Sequence, residues 1–225
     1  MPIDQYSLSA IPLEMWFRES RLASGTGFVW SFNQRAFLIT NWHIVTGIHP
    51  TTGQHLSRTG AEPDAIVAQF DLAGTPGKRG PFRLPLHSAS SEPLWLEHPS
   101  GRSVDVVALP LPEMPDYTLH PINEMPWEPM RLSVGLDAFI LGYPFGMSVS
   151  ELPIWKRASI ASEPLILPTD GKPYFYVDTA SREGMSGSPV ILRSWGGFNT
   201  EDGDYTQSIG GSWATRIRLV AASNG

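Results

Sequence analysis

The chain contains no cysteine, which removes disulfides, thiolate nucleophiles and cysteine-ligated zinc from its chemistry. It also has no long uninterrupted apolar run. The stretch Met1 to Phe17 is broken by Pro12 and Glu14 and has no basic cluster before it, so it reads as neither signal peptide nor membrane-spanning helix. Basic residues are in deficit, 16 Lys and Arg against 22 Asp and Glu, for a formal charge of −6. That balance argues against a phosphate-binding surface, and no nucleic-acid partner is expected. The basic pair Lys78-Arg79 stands among Gly74, Pro76, Gly77 and Gly80 and reads as a solvated loop tip. The expectation is a soluble cytoplasmic protein with no membrane contact and an open question of oligomeric state. Lack of cysteine is compatible with export as well.

Helical periodicity is scarce too, since no window of a dozen residues sustains it. Turn punctuation is plentiful: 21 Gly and 21 Pro in 225 residues separate short segments rich in Val, Ile, Phe and Trp, the signature of an all-β chain. With 41% hydrophobic and 17% charged residues, the composition is that of a globular protein rather than a disordered one. Candidate strands cover 27–32, 36–40, 65–72, 82–86, 94–97, 105–109, 137–143, 156–162, 174–178, 190–193 and 218–222. A single helical turn is expected after His43, with Ile44, Val45 and Ile48 facing inward. Pro110, Pro112, Pro115, Pro121, Pro126 and Pro129 crowd one span, and proline, lacking an N–H, suits neither a helix interior nor a central strand. The expected organisation is an N-terminal β-barrel over 1–111, a linker over 112–130 and a C-terminal β-barrel over 131–225, with a cleft between the barrels.

Three segments carry candidate chemistry. Gly184-Met185-Ser186-Gly187-Ser188-Pro189 sets a serine between glycines, as a nucleophile beside an oxyanion hole requires; alone it is equally a tight turn. His43 closes the run Leu38-Ile39-Thr40-Asn41-Trp42-His43, and Asp105 opens Asp105-Val106-Val107-Ala108-Leu109. A serine hydroxyl needs a base to take its proton, and that base needs a carboxylate to fix its tautomer. His43 is the best base among six histidines, because His49, His55, His87, His98 and His120 lie in polar or proline-rich surroundings. Asp105 precedes apolar residues, and a carboxylate buried there must be paired; Asp178 and Asp71 are weaker candidates. The order His, Asp, Ser is the one used by chymotrypsin-type barrels among three known for serine hydrolases. The N–H groups of Gly184 and Ser186 are the candidate oxyanion donors. Ser188 is a poorer nucleophile candidate because Pro189 follows it directly. Gly25-Thr26-Gly27-Phe28 starts like a dinucleotide fingerprint but lacks the third Gly and precedes a strand. His43, His49 and His55 recur every six residues without metal-ligand spacing, so no metal is expected.

Taken together, Ser24-Gly25-Thr26-Gly27-Phe28, Leu38 to Val45, Val104 to Leu109, Val134 to Gly146 and Asp178 to Val190 resemble the trypsin/chymotrypsin-fold serine proteases. The resemblance is to their bacterial trypsin-like branch, related to the Deg or high-temperature-requirement proteases, and it spans about residues 24 to 225. It implies two six-stranded-type antiparallel β-barrels and a triad of His43, Asp105 and Ser186. It further implies peptide-bond hydrolysis through an acyl-enzyme, a protein or peptide substrate, and no cofactor. Ala180 falls where trypsin-like enzymes carry a specificity-setting Asp, so a small or apolar residue is expected before the scissile bond; Ser181, Ala222 and Ser223 would complete that pocket. Met185 replaces the Asp that pairs with a newly cut N-terminus in animal digestive enzymes, so activation by that ion pair is not expected. No PDZ domain is expected after the catalytic unit, and the second barrel is expected to be incomplete after the strand near Leu219. The motifs are also compatible with a catalytically impaired protease-fold binding or regulatory module, and with an esterase using the same triad.

Overall fold

The computed structural model describes residues 3–127, 130–166, 171, 174–180, 182–194, 197–206 and 218–219. A one-turn helix α1 (Gln5–Ser9), capped by the Asp4 carboxylate accepting from the Tyr6 N–H, leads into the first sheet. That sheet contains β1 (Ala10–Phe17), β2 (Ser20–Phe32), β3 (Arg35–Thr40), β4 (Ala65–Leu72), β5 (Arg79–Pro85), β6 (Leu96–Glu97), β7 (Val107–Pro110) and β8 (Tyr117–Thr118). Its order is β5-β4-β1-β2-β3-β7-β6, with β8 pairing β4, and every pairing is antiparallel.

The second sheet uses β9 (Asp137–Gly142), β10 (Ile154–Ile160), β11 (Val177–Asp178) and β12 (Pro189–Leu192). A two-stranded ribbon of β13 (Phe198–Asn199) and β14 (Tyr205–Thr206) stands apart, and β15 (Arg218–Leu219) joins the sheet beside β12, in the order β11-β10-β9-β12-β15. The expected all-β architecture of two antiparallel β units is therefore present. Among the described residues, no helix is long and apolar enough to cross a membrane.

β1 was not expected as a strand, and the two residues that disguised it explain themselves. Ile11, Leu13 and Met15 are buried while Pro12 and Glu14 are not, the alternation of a strand with one face on a core. Pro12 pairs only with Thr26 of β2, because β4 joins β1 from Leu13 onward; the missing proline N–H thus falls outside the second ladder.

Among the described residues, the hydrophobic interior has three parts. One fills the first unit around Leu13, Val29, Leu38, Ile66, Phe70 and Leu109, and a second lies in the second unit around Met130, Ala138, Ile160 and Val190. The third, with Tyr6, Phe28, Ile39, Ile122, Leu141, Tyr143 and Ile191, draws on both sheets and on the proline-rich crossing. That crossing is more structured than its composition suggests, since it supplies β8 and buries Ile122 and Met125.

The reading of Lys78-Arg79 as a solvated tip holds for Lys78, which is exposed, and fails for Arg79. The Arg79 side chain is 2% exposed and its Nε lies 3.2 Å from Asp71 Oδ1, itself fully buried. Asp71 and Arg79 are register partners across β4 and β5, so the hairpin itself brings the counter-charge. Arg79 Nη1 donates to Ala10 O at 2.8 Å and to Tyr143 Oη at 2.7 Å, and Nη2 donates to Ser7 O at 3.2 Å. His120 Nε2 sits 3.2 Å from Asp71 Oδ2, which also accepts from the Gly77 N–H at 2.9 Å. Burial pushes the Asp71 carboxyl up, but the bonds from His120 and Gly77 and the Arg79 charge outweigh it and leave it below its ordinary value. Burial likewise pushes the Tyr143 hydroxyl well up, partly offset by Arg79, so it stays protonated at neutral pH.

Candidate active site

β3 ends at Thr40, and the chain turns at once into the short helix α2 (Trp42–Thr46). Ile44 and Val45 bury themselves in the first core, as the sequence suggests, whereas Ile48 is only half-buried. Gly47 closes the helix in the left-handed region at φ 68, its N–H donating to His43 O at 2.9 Å, an ordinary helix terminus. With Ile44 and Val45 facing the core, the His43 side chain keeps a small accessible surface, 14% exposed.

Asp105 lies two residues before β7 rather than opening that strand. Its Oδ2 is 2.7 Å from His43 Nδ1, and its Oδ1 accepts from the His43 backbone N–H at 3.0 Å. The two carboxylate oxygens thus grip both the imidazole and the main chain of one residue, with the Asp105 side chain 9% exposed. Asn41 adds a further tie by donating from Nδ2 to Asp105 O. Asp178 is exposed, and Asp71 is spent on Arg79 and His120, so neither competes for His43. The remaining histidines disperse. His49 accepts from Thr51 and Thr52 N–H groups, His55 faces Glu62 at 3.6 Å, and His87 packs edge-on to Trp95.

Ser186 lies on the loop before β12. Gly184 and Gly187 flank it with φ of 87 and 83, a region in which any side chain would be strained. A β-carbon at Gly184 would collide with Tyr143 O, and one at Gly187 with Thr26 O and Thr40 Oγ1. The loop is stitched locally by Met185 N–H to Arg182 O and Ser188 N–H to Met185 O, both at 3.1 Å. It is held against β2 by Thr26 N–H donating to Ser186 O at 2.8 Å and by Thr26 Oγ1 donating to Gly184 O at 2.8 Å. Ser186 O is also 3.5 Å from where a Gly25 β-carbon would stand, a point in contact with Ile44 Cδ1 beside His43.

Ser186 is half-buried, whereas Ser188 is 3% exposed and packs against Gly142 at the end of β9. The rival hydroxyl therefore faces the interior. Met185 is buried as well, at 4%. Beside the loop, a cleft of about 380 Å³ is lined by Arg21, Leu22, Ala23, Ser24, Phe145 and Glu183. Ala180 is exposed on the approach to the loop, while Ser181, Ala222 and Ser223 lie outside the described residues.

The sequence reading missed Thr26, Thr40 and Asn41, which bind the strand ends to the site. Thr26 stands between two glycines and Asn41 two residues before His43, and those positions were the available signals.

A family model for the trypsin-like peptidase domain matches residues 25–196. No curated protein sequence matches the chain significantly. Among solved structures, Deg5 aligns with TM-score 0.51 and 18% identity over 83% of this chain and 75% of its own. A serine endoprotease from Yersinia pestis aligns with TM-score 0.48 and 14% identity over 89% of this chain and 58% of its own. AlgW, an HtrA-type protease solved with a tripeptide, aligns with TM-score 0.45 and 17% identity over 94% of this chain and 56% of its own. The Deg5 likeness supports the fold, and the family match covers most of the chain: this protein belongs to the trypsin-like peptidase family.

Proposed function

We propose that the chain is a serine endopeptidase that cleaves peptide bonds through an acyl-enzyme, with Ser186 as nucleophile, His43 as base and Asp105 as its orienting carboxylate. The observation that carries this reading is the double hold of Asp105 on His43, at 2.7 Å to Nδ1 and 3.0 Å to the backbone N–H. With Nδ1–H donating to Asp105, the unprotonated Nε2 is the atom that takes the Ser186 proton as Oγ attacks the carbonyl carbon. The negative charge that develops on the carbonyl oxygen is received by the Gly184 and Ser186 N–H groups. His43 then returns the proton to the departing amine as the C–N bond breaks. A water, deprotonated by the same Nε2, releases the acyl group from Ser186.

The substrate is a protein or peptide. Ala180, uncharged at the position that reads the residue before the scissile bond in relatives, favours a small or apolar side chain there. A fluorophosphonate probe should label the wild type at Ser186, located by peptide mass mapping. Ser186→Ala should lose labelling and about 10⁶-fold in turnover, by analogy with subtilisin. A folded wild type that fails to label would sink the reading, and labelling with no cleavage of any peptide in a broad library would favour an esterase instead.

A further inference from the structure

Thr26 is fully buried in β2 and reaches across to the second sheet. Its hydroxyl donates to Gly184 O at 2.8 Å and accepts from the Tyr143 N–H at 3.2 Å. Its backbone N–H donates to Ser186 O, and its carbonyl accepts from Thr40 Oγ1, both at 2.8 Å. One residue therefore connects the residue following β9, two of the three carbonyls of the Gly184 to Ser186 loop, and the strand that delivers His43.

Gly184 is the point at which this loop can fail. A glycine at φ 87 has little intrinsic preference between backbone basins, so a peptide plane beside it can rotate and point a carbonyl where an N–H is needed. Both planes flanking Gly184 are anchored. The Glu183 carbonyl accepts from the Phe145 N–H at 2.7 Å, which directs the trans Gly184 N–H the opposite way. The Gly184 carbonyl is held by Thr26 Oγ1. The first anchor sits at a turn whose Phe145 is 60% exposed, and the second is wholly buried.

We propose that the Thr26 hydroxyl is a positioning residue for the oxyanion hole, holding the Gly184–Met185 peptide plane so that the Gly184 and Ser186 N–H groups converge. This rests on the proposed role of Ser186 and assigns Thr26 no contact with substrate. The hydroxyl satisfies two backbone groups that a methyl would leave unpaired, and an unmade buried bond is costlier than a made one is favourable.

The test compares Thr26→Val and Thr26→Ser with the wild type, each shown folded by thermal melting. Thr26→Val should lower kcat about 10- to 100-fold with KM within about threefold. Affinity for a peptide boronate, whose tetrahedral oxygen fills the hole, should fall in parallel, while affinity for a product peptide stays constant. Thr26→Ser, which keeps the hydroxyl, should recover kcat to within about threefold of wild type. If Thr26→Val does not fold, Thr26→Cys serves, with a weaker donor of similar size and an expected loss of about tenfold in kcat. A folded Val or Cys variant with wild-type kcat and boronate affinity overturns the proposal and leaves the Ser186 reading standing. A loss confined to KM also overturns it. A wild type that never reacts with fluorophosphonate overturns both.

Discussion

Replacing Asp105 by Asn tests the proposed site through a change of one atom. The fixed reference is the His43 backbone N–H, which donates to Asp105 Oδ1 at 3.0 Å and cannot reverse its role. The single carbonyl oxygen of an asparagine must therefore stay on that donor, and its NH₂ group must occupy the place of Oδ2, 2.7 Å from His43 Nδ1. An NH₂ can only donate, so Nδ1 becomes the acceptor and the ring proton moves to Nε2. That is the wrong tautomer to accept a proton from Ser186. In chymotrypsin-type enzymes this substitution costs about 10⁴ in kcat, equivalent to about 5 kcal/mol of barrier. The assay is steady-state turnover of a peptide ester together with the rate of fluorophosphonate labelling, and both should fall together. The fold should persist, because the bond from the His43 backbone N–H and the bond from Asn41 Nδ2 to the carbonyl of residue 105 survive. A folded Asp105→Asn protein that keeps turnover within about tenfold of wild type, while His43→Ala abolishes it, would refute the assignment of Asp105.

Gly187→Ala should strongly destabilise the protein, since the added carbon meets Thr26 O and Thr40 Oγ1 at φ 83; left-handed strain and overpacking together cost about 2–5 kcal/mol, read as a lower urea midpoint. Arg79→Met should strip buried Asp71 of its guanidinium partner, leaving it only His120 and the Gly77 N–H, at a cost of about 3–5 kcal/mol, lowering Tm by about 6–20 °C, and adding Asp71→Asn should restore part of the loss. The direction of the Asp71 shift also fixes a pH window. A carboxyl held below its ordinary 3.8 contributes stability above that pH and loses it as pH falls toward the folded value. Acid unfolding below about pH 3.8 should therefore be shallower in Asp71→Asn than in wild type, measured by urea midpoints across pH.

Local pattern carried much of this fold, and it failed where a residue's environment comes from elsewhere. β4 has the expected bounds, Ala65 to Leu72, because its alternation is bracketed by Asp64 and Gly74. β5 begins three residues earlier than expected, since Arg79 is a strand residue hidden in glycine punctuation. Its partner Asp71 faces it only once the hairpin closes, so no local window reveals that it is buried. β2 likewise extends back to Ser20, where β1, disguised by Pro12 and Glu14, supplies its neighbour. The pairing of His43 with Asp105 was legible because each sits in a short recognisable run. The part played by Thr26 was not, because its partners Tyr143, Gly184 and Ser186 are distant in sequence and meet it only after the two sheets dock.

The placement of the proposed triad has a consequence for a chain still being synthesised. His43 and Asp105 belong to the first sheet, whose strands end at Thr118, while Ser186 precedes β12 of the second. An emerging chain can thus fold its acid–base pair while the nucleophile has yet to be translated, as domains generally fold from the N-terminus onward. On the proposed assignment, cleavage of neighbouring nascent chains, or of its own unfinished second half, has to wait until the loop around Ser186 has been made and docked on β2. On that assignment, the nucleophile reaches a base that has already been positioned, rather than the reverse.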